Sequence, residues 1–156
     1  MRLSHVGVLA LLLAVSASGC DNTTSPTLPD VPATVSVTGN WFGSATDSHR
    51  VAQLSMVLKQ DAGNVTGSVT GQTLTSLPLY TSGSLTGTVV GSTLTFTIRI
   101  PAGSVADAPT CSVTMNGSTT DVTGTGVTAT GMSGTYTGTD SCFGDLAGGR
   151  FTFAKQ

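Results

Sequence analysis

The chain contains no glutamate; all eight of its acids are aspartate. Histidine occurs only at His5 and His49, and tryptophan only at Trp41. Charged residues make up 9% of the sequence and aromatics 5%. So few lysines and arginines form no basic stripe along which phosphates are neutralised, which excludes nucleic acid as a partner. The shortage of histidine and the lack of glutamate remove the usual acid–base pairs, so no catalytic residue, cofactor site or metal site is assigned. No apolar run approaches the roughly 20 residues that a membrane-spanning helix needs.

The longest such run, residues 6–15 (VGVLALLLAV), follows Arg2 and precedes the small residues Ser16-Ala17-Ser18-Gly19. That order, a positive start, a short apolar core and a small-residue cleavage region, is the layout of a secretory signal peptide over residues 1–19. Cys20 comes next. Ala17-Ser18-Gly19-Cys20 resembles the lipobox of bacterial lipoproteins, with Ala17 where leucine is commoner. The resemblance implies cleavage before Cys20, acylation of that residue and membrane attachment through it. The expected location is the bacterial cell envelope, at the outer membrane or on the periplasmic face of the inner membrane. Two or three acyl chains would hold firmly, since each buried methylene adds about 0.8 kcal/mol.

Assigning Cys20 to lipid leaves Cys111 and Cys142, and export to an oxidising compartment predicts a disulfide between them. Residues 20–34 carry a polar, proline-rich stretch with no periodicity and read as a flexible linker. With Arg2 counted in the leader, Arg50, Lys59, Arg99, Arg150 and Lys155 remain against the eight aspartates, a slightly acidic balance. Residues 35–156 are enough for one domain.

That domain is rich in threonine, serine, glycine and valine, which disfavour helix. A five-residue unit recurs irregularly as Val37-Thr38-Gly39-Asn40-Trp41, Val65-Thr66-Gly67-Ser68-Val69, Leu85-Thr86-Gly87-Thr88-Val89 and Met132-Ser133-Gly134-Thr135-Tyr136, with a weaker copy over residues 122–126. It is a period-two signature, with apolar residues and glycine on one face and hydroxyls on the other. Leu54, Met56 and Leu58 alternate with polar neighbours, as do Leu94, Phe96, Ile98 and Ile100. Strands are expected near 35–46, 51–60, 64–71, 83–90, 93–100, 111–116, 119–127, 131–138 and 150–154. Gly91-Ser92 fits a type II′ hairpin turn, Asn116-Gly117 a type I′ turn, and residues 61–64 a slightly longer loop. Short connections imply an all-β, antiparallel up-and-down meander of about eight strands closed into a barrel, with a two-sheet sandwich as the competing architecture. Two readings of the inward glycines stay open: they ease coiling of the strands, or they leave space in the lumen.

Gly39-Asn40-Trp41 at the first strand resembles the Gly-x-Trp of lipocalins, and avidin-type barrels begin similarly. The resemblance to a small calycin-type barrel implies a floor in which Trp41 packs across the closed end under a cation from the last strand, the part given to Arg150. No ligand residues carry over, and counterparts of the biotin-site aromatics of avidin are not evident. Small eight-stranded barrels also serve as periplasmic metalloprotease inhibitors, so a protein partner is permitted as well.

Several local patterns invite chemistry. Asp47-Ser48-His49 cannot form a triad alone, because neighbours in an extended chain face opposite ways. Asp47 and His49 as metal ligands lack a third, and a solvated loop is expected there. Asp140 and Asp145 do not have EF-hand spacing. Gly148-Gly149-Arg150 is too short for a phosphate cradle and reads as a turn into the last strand. The apolar tract over residues 75–82, with Leu77, Leu79 and Tyr80, sits where a loop is expected. It reads either as a rim or lid at the barrel mouth or as a cap. The expectation is a non-catalytic, membrane-anchored barrel that binds a small apolar ligand; the alternative is a protein-interaction module, such as a protease inhibitor or envelope assembly factor.

Overall fold

The computed structural model describes residues 32–156. The expected leader, Cys20 and the linker through residue 31 lie outside the described residues. The order is β1 (Gly39–Thr46), β2 (Val51–Asp61), β3 (Asn64–Gln72), β4 (Pro78–Val90), β5 (Thr93–Ile100), β6 (Val113–Thr125), β7 (Thr128–Asp140) and β8 (Gly144–Lys155). Each strand pairs antiparallel with the next, and β8 returns to β1, so the sheet is a closed up-and-down barrel. No helix occurs among the described residues. The barrel is therefore the expected architecture, and the sandwich is not formed.

The inward face explains the five-residue unit. In Val65–Val69 and Leu85–Val89 the outer two residues are buried and the glycine lies between them on the same face. Each such glycine sits opposite a large side chain on a neighbouring strand. Gly117 lies between Phe96 and Tyr136, Gly149 opposite Tyr136, Gly67 between Leu58 and Leu85, and Gly43 between Leu54 and Phe153. A Cβ on Gly71 would stand 2.6 Å from the Tyr80 ring, and one on Gly117 would run into the Phe96 ring. An eight-stranded barrel is barely wide enough for side chains. Alternating glycine with large residues lets the rings overlie bare backbone and fill it. Of the two open readings, the one that left space in the lumen is not met: large side chains of neighbouring strands cover the glycines.

Three boundaries differ from expectation. Asn116-Gly117 is not a turn, and β6 runs straight through it. Gly117 faces inward against Phe96, while Asn116 faces out and accepts a hydrogen bond from Thr97 Oγ1 at 2.8 Å. The turn falls instead at Gly126-Val127, where Gly126 supplies φ 59°. Gly91, also at φ 59°, supplies the positive φ of the expected turn after β4. Gly148-Gly149-Arg150 lies within β8, where Gly148 adopts φ 64° near a register shift. At residues 61–64 the loop is tighter than expected, since Asp61 pairs directly with Asn64.

Before β1, residues 32–38 form a strap across one end of the barrel. Thr34 N donates to Gly91 O, and Ser36 N donates to Val127 O. Ala33 and Thr34, expected in the linker, are thus already engaged with the barrel. Gln60 grips the strap from the side, its Oε1 accepting from Val37 N at 2.9 Å and its Nε2 donating to Val35 O at 3.1 Å. Val37 is fully buried beneath this crossing. The strap end also carries the turns β2–β3, β4–β5 and β6–β7. The opposite, loop end carries the remaining connections, residues 47–50, 73–77, 101–112 and 141–143.

Candidate functional site

A hydrogen-bonded polar network, Asp47, Arg50, Tyr136 and Asp140, occupies the loop end. Asp140, at the last position of β7, is buried, and its Oδ2 accepts from Arg50 Nη2 at 2.9 Å. Its Oδ1 accepts from the backbone N–H groups of Cys142 and Phe143, which shapes the β7–β8 turn. The Arg50 guanidinium lies 5.4 Å from the Phe143 ring centroid and 5.9 Å from that of Tyr80. Asp47 Oδ1 accepts from the N–H groups of His49 and Arg50, closing the β1–β2 turn in the Asx manner. Asp47 Oδ2 accepts from the Tyr136 hydroxyl at 2.8 Å.

These contacts fix the proton positions. Burial pushes the Tyr136 hydroxyl far above the ordinary tyrosine value, and the hydrogen bond to Asp47 pushes the same way. Burial also raises Tyr80, with the Arg50 charge pulling partly against it. Both rings stay protonated at neutral pH. No buried side-chain nitrogen or oxygen among the described residues lacks a hydrogen-bond partner. The network is closed on itself: Asp47, Arg50, Tyr136 and Asp140 are all committed to one another or to backbone.

Beside it lies the disulfide. Cys111 and Cys142 are bonded, with Cα atoms 5.6 Å apart, as expected. The bridge ties residues 101–112 to the β7–β8 turn, and Ser112 N donating to Ser141 Oγ reinforces the tie. That loop folds over the mouth. Ala106 N donates to Leu79 O, Thr81 N donates to Ser104 O, and Val105 is buried. The sulfurs and the Asp140 carboxylate lie within 4.8 Å of one another. The sulfurs are joined to each other and the carboxylate is held by Arg50, so the group offers no free ligand set in this state.

The apolar tract divides. Leu77 is exposed in the β3–β4 loop, whereas Leu79 and Tyr80 are buried in β4. Pro78 opens that strand, and Tyr80 pairs with both Gly71 and Val105. Leu79 and Tyr80 therefore belong to the cap and not to a rim. At the strap end Trp41 is buried and its Nε1 donates to Val37 O at 2.8 Å. The cation over its ring is Lys155, at 6.0 Å, and not Arg150. The reason is register: Lys155 pairs with Trp41, while Arg150 pairs with Thr46, close to the other end of β1, and is exposed. Strand parity carried the signal, since Phe151, Phe153 and Lys155 share the inward face.

His49 Nε2 lies 3.0 Å from the Asp145 carbonyl, which accepts from it, and Ser48 Oγ donates to that same carbonyl. Ser48 and His49 thus brace the β7–β8 turn and do not pair as nucleophile and base. Asp145 serves here through its backbone.

The interior void lined by Leu54, Phe96, Met115, Tyr136, Phe151 and Phe153 measures about 10 Å³. That is room for one water at most. The larger depression, about 540 Å³, lies on the outer wall over β5–β8 and is open to solvent. Thr95, Thr97, Asn116, Ser118, Thr135 and Arg150 line it. Comparison of the chain with protein-family models, with curated proteins and with solved structures finds no match.

Proposed function

We propose that this chain is a lipid-anchored protein of the bacterial cell envelope whose barrel acts without catalysis, as a protein-interaction module presented on a tether. The filled barrel carries this reading over the small-ligand one. A ligand of drug-like size occupies roughly 300 Å³ or more, and the interior void is about 10 Å³. Both ends are also covered, one by the strap and one by the loop over residues 101–112. The calycin-like features support shared architecture without a shared cavity.

The loop end is the better docking surface. Leu74 and Leu77 are each 63% exposed on the β3–β4 loop, and Phe143 is 56% exposed on the β7–β8 turn, which the Arg50–Asp140 pair and the disulfide brace. A rigid platform with protruding apolar side chains suits protein recognition. The disulfide fits an exported chain. The acylated Cys20 and the envelope location rest on the leader and the lipobox resemblance.

Native mass spectrometry of the full chain, released from membranes in detergent, tests these points together. The expected species is a bridged monomer that carries acyl mass on Cys20 and no other adduct. A stoichiometric small molecule released on denaturation would restore the carrier reading. An unmodified Cys20 would remove the anchor.

A further inference from the structure

We infer that the strap end of the barrel is a membrane-contact face. The turn tips at Val90 and Val127 enter the interfacial layer of a phospholipid bilayer, and Lys59 and Lys155 meet its headgroups. The inference rests on the anchoring of Cys20 proposed above.

Where the chain enters the domain is the first ground. The strap begins at Pro32 and passes between the two turns, pairing with Gly91 on one side and Val127 on the other. Residues 21–31 are all that separate Cys20 from this point. Fully extended they reach about 40 Å. A tether that short keeps the strap end at high effective concentration near the surface, so weak contacts suffice to hold it there.

The second ground is which residues stand there. Val127 is 69% exposed and Val90 52%, each beside or within the turn that clamps the strap. Phe42 and Val57, diagonal neighbours on β1 and β2, form a separate exposed apolar pair on the outer wall.

Charge is the third. Both lysines of the described residues belong to this half, Lys59 late in β2 and Lys155 over the Trp41 ring. They balance Asp61 and Asp121. The loop end and the wall beside it instead hold Asp47, Asp107, Asp140 and Asp145 against Arg50, Arg99 and Arg150, a net acidic balance. An anionic leaflet repels the acidic loop end more than the neutral strap end, where the two lysines reach its headgroups. The barrel then stands with Leu74, Leu77 and Phe143 facing away from the membrane, where a protein partner can reach them.

The test uses the acylated full chain in vesicles of phosphatidylethanolamine and phosphatidylglycerol. An environment-sensitive fluorophore is placed at Val127→Cys, at Val90→Cys, or at Leu77→Cys on the far end, with the native disulfide kept oxidised. Nitroxide-bearing lipids should quench the Val127 and Val90 probes several-fold more than the Leu77 probe. Lys59→Glu with Lys155→Glu should lower that quenching and leave flotation with the vesicles unchanged. Equal, weak quenching at all three positions in chains that float would overturn the contact and leave the anchor standing. Chains that neither float nor carry acyl mass would overturn the anchor and this inference with it. A Val127 probe that responds to whole envelope membranes but not to the lipid vesicles would assign the face to a protein and overturn it too.

Discussion

Asp140 carries more of the loop end than any other side chain. It is buried, it holds Arg50, and it accepts two backbone N–H groups of the next turn. Removing one member of a buried ion pair leaves the other charge uncompensated, at about 3–5 kcal/mol. Arg50 is 17% exposed and can turn partly to water, so the lower figure applies. Asp140→Ala is therefore expected to lose about 3 kcal/mol in denaturant unfolding, and substitution of Asp145, whose side chain does no such work, much less. The two tyrosines give a pH dependence of definite sign. Their folded values lie above the unfolded value of about 10, because burial disfavours the phenolate. The folded state thus favours the protonated ring, and that stability is fully present below pH 10 and is lost as pH rises beyond it. A melting temperature flat from neutral pH to about 9 and falling above about 10 is expected, and Tyr136→Phe should flatten the fall. A melting temperature that holds level well above pH 10 in the unsubstituted chain would count against burial as the cause. None of this network was legible in the sequence, which placed Asp47 only in a solvated loop. Arg50 and Asp140 are 90 positions apart, and only closure of the barrel brings them together.

At the scale of elements, period-two alternation located every strand but misplaced several ends. The error at Asn116-Gly117 is instructive. Local turn preference favoured a hairpin there, yet the same glycine is the one residue that fits between Phe96 and Tyr136 on adjacent strands. Tertiary packing won over dipeptide propensity, and no single-strand pattern contains that information. Gly117→Val should push branched carbons into the Phe96 ring and cost about 1–3 kcal/mol from overpacking. Gly126→Val should lose stability for a different reason, the positive φ of its turn, with no side chain in the way. Pairing Gly117→Val with Phe96→Leu should recover part of the loss, which denaturant midpoints of the single and double variants can measure. Recovery would separate packing from strand propensity. The disulfide was legible because the lipobox resemblance set Cys20 aside and left one pairing. Its loop spans 31 residues, for which chain entropy gives about 3–4 kcal/mol. Cys111→Ser with Cys142→Ser should lose about that much, with hydrogen exchange rising first in residues 101–112, which are otherwise held by buried Val105 and a small set of backbone and serine hydrogen bonds.

For the molecule as a whole, the question is whether this barrel encloses anything, and its answer lies in how the aromatic rings stack. Phe96 meets Phe151 edge-on at 5.4 Å, and Phe151 lies 5.4 Å from Phe153. The three rings occupy the middle of the barrel, where lipid- or dye-sized ligands would sit in a hollow one. Fold alone does not decide this, since the same architecture encloses a cavity or a packed core according to the side chains that point inward. The unsubstituted chain is expected to leave Trp41 emission unchanged on addition of fatty acids or small aromatics. Phe151→Ala removes the central ring and should open a dry apolar space on the order of 100–150 Å³, large enough for benzene-sized probes. It should cost about 3–5 kcal/mol, within the margin of a domain stable by about 5–15 kcal/mol. The disulfide and strap would still hold the ends. Added benzene should then raise the variant's melting temperature in proportion to the logarithm of its concentration and leave the unsubstituted chain unmoved. A benzene shift of equal size in both proteins would mean that the barrel already has room for a ligand, and the reading of the loop end as the working surface would give way to the lumen.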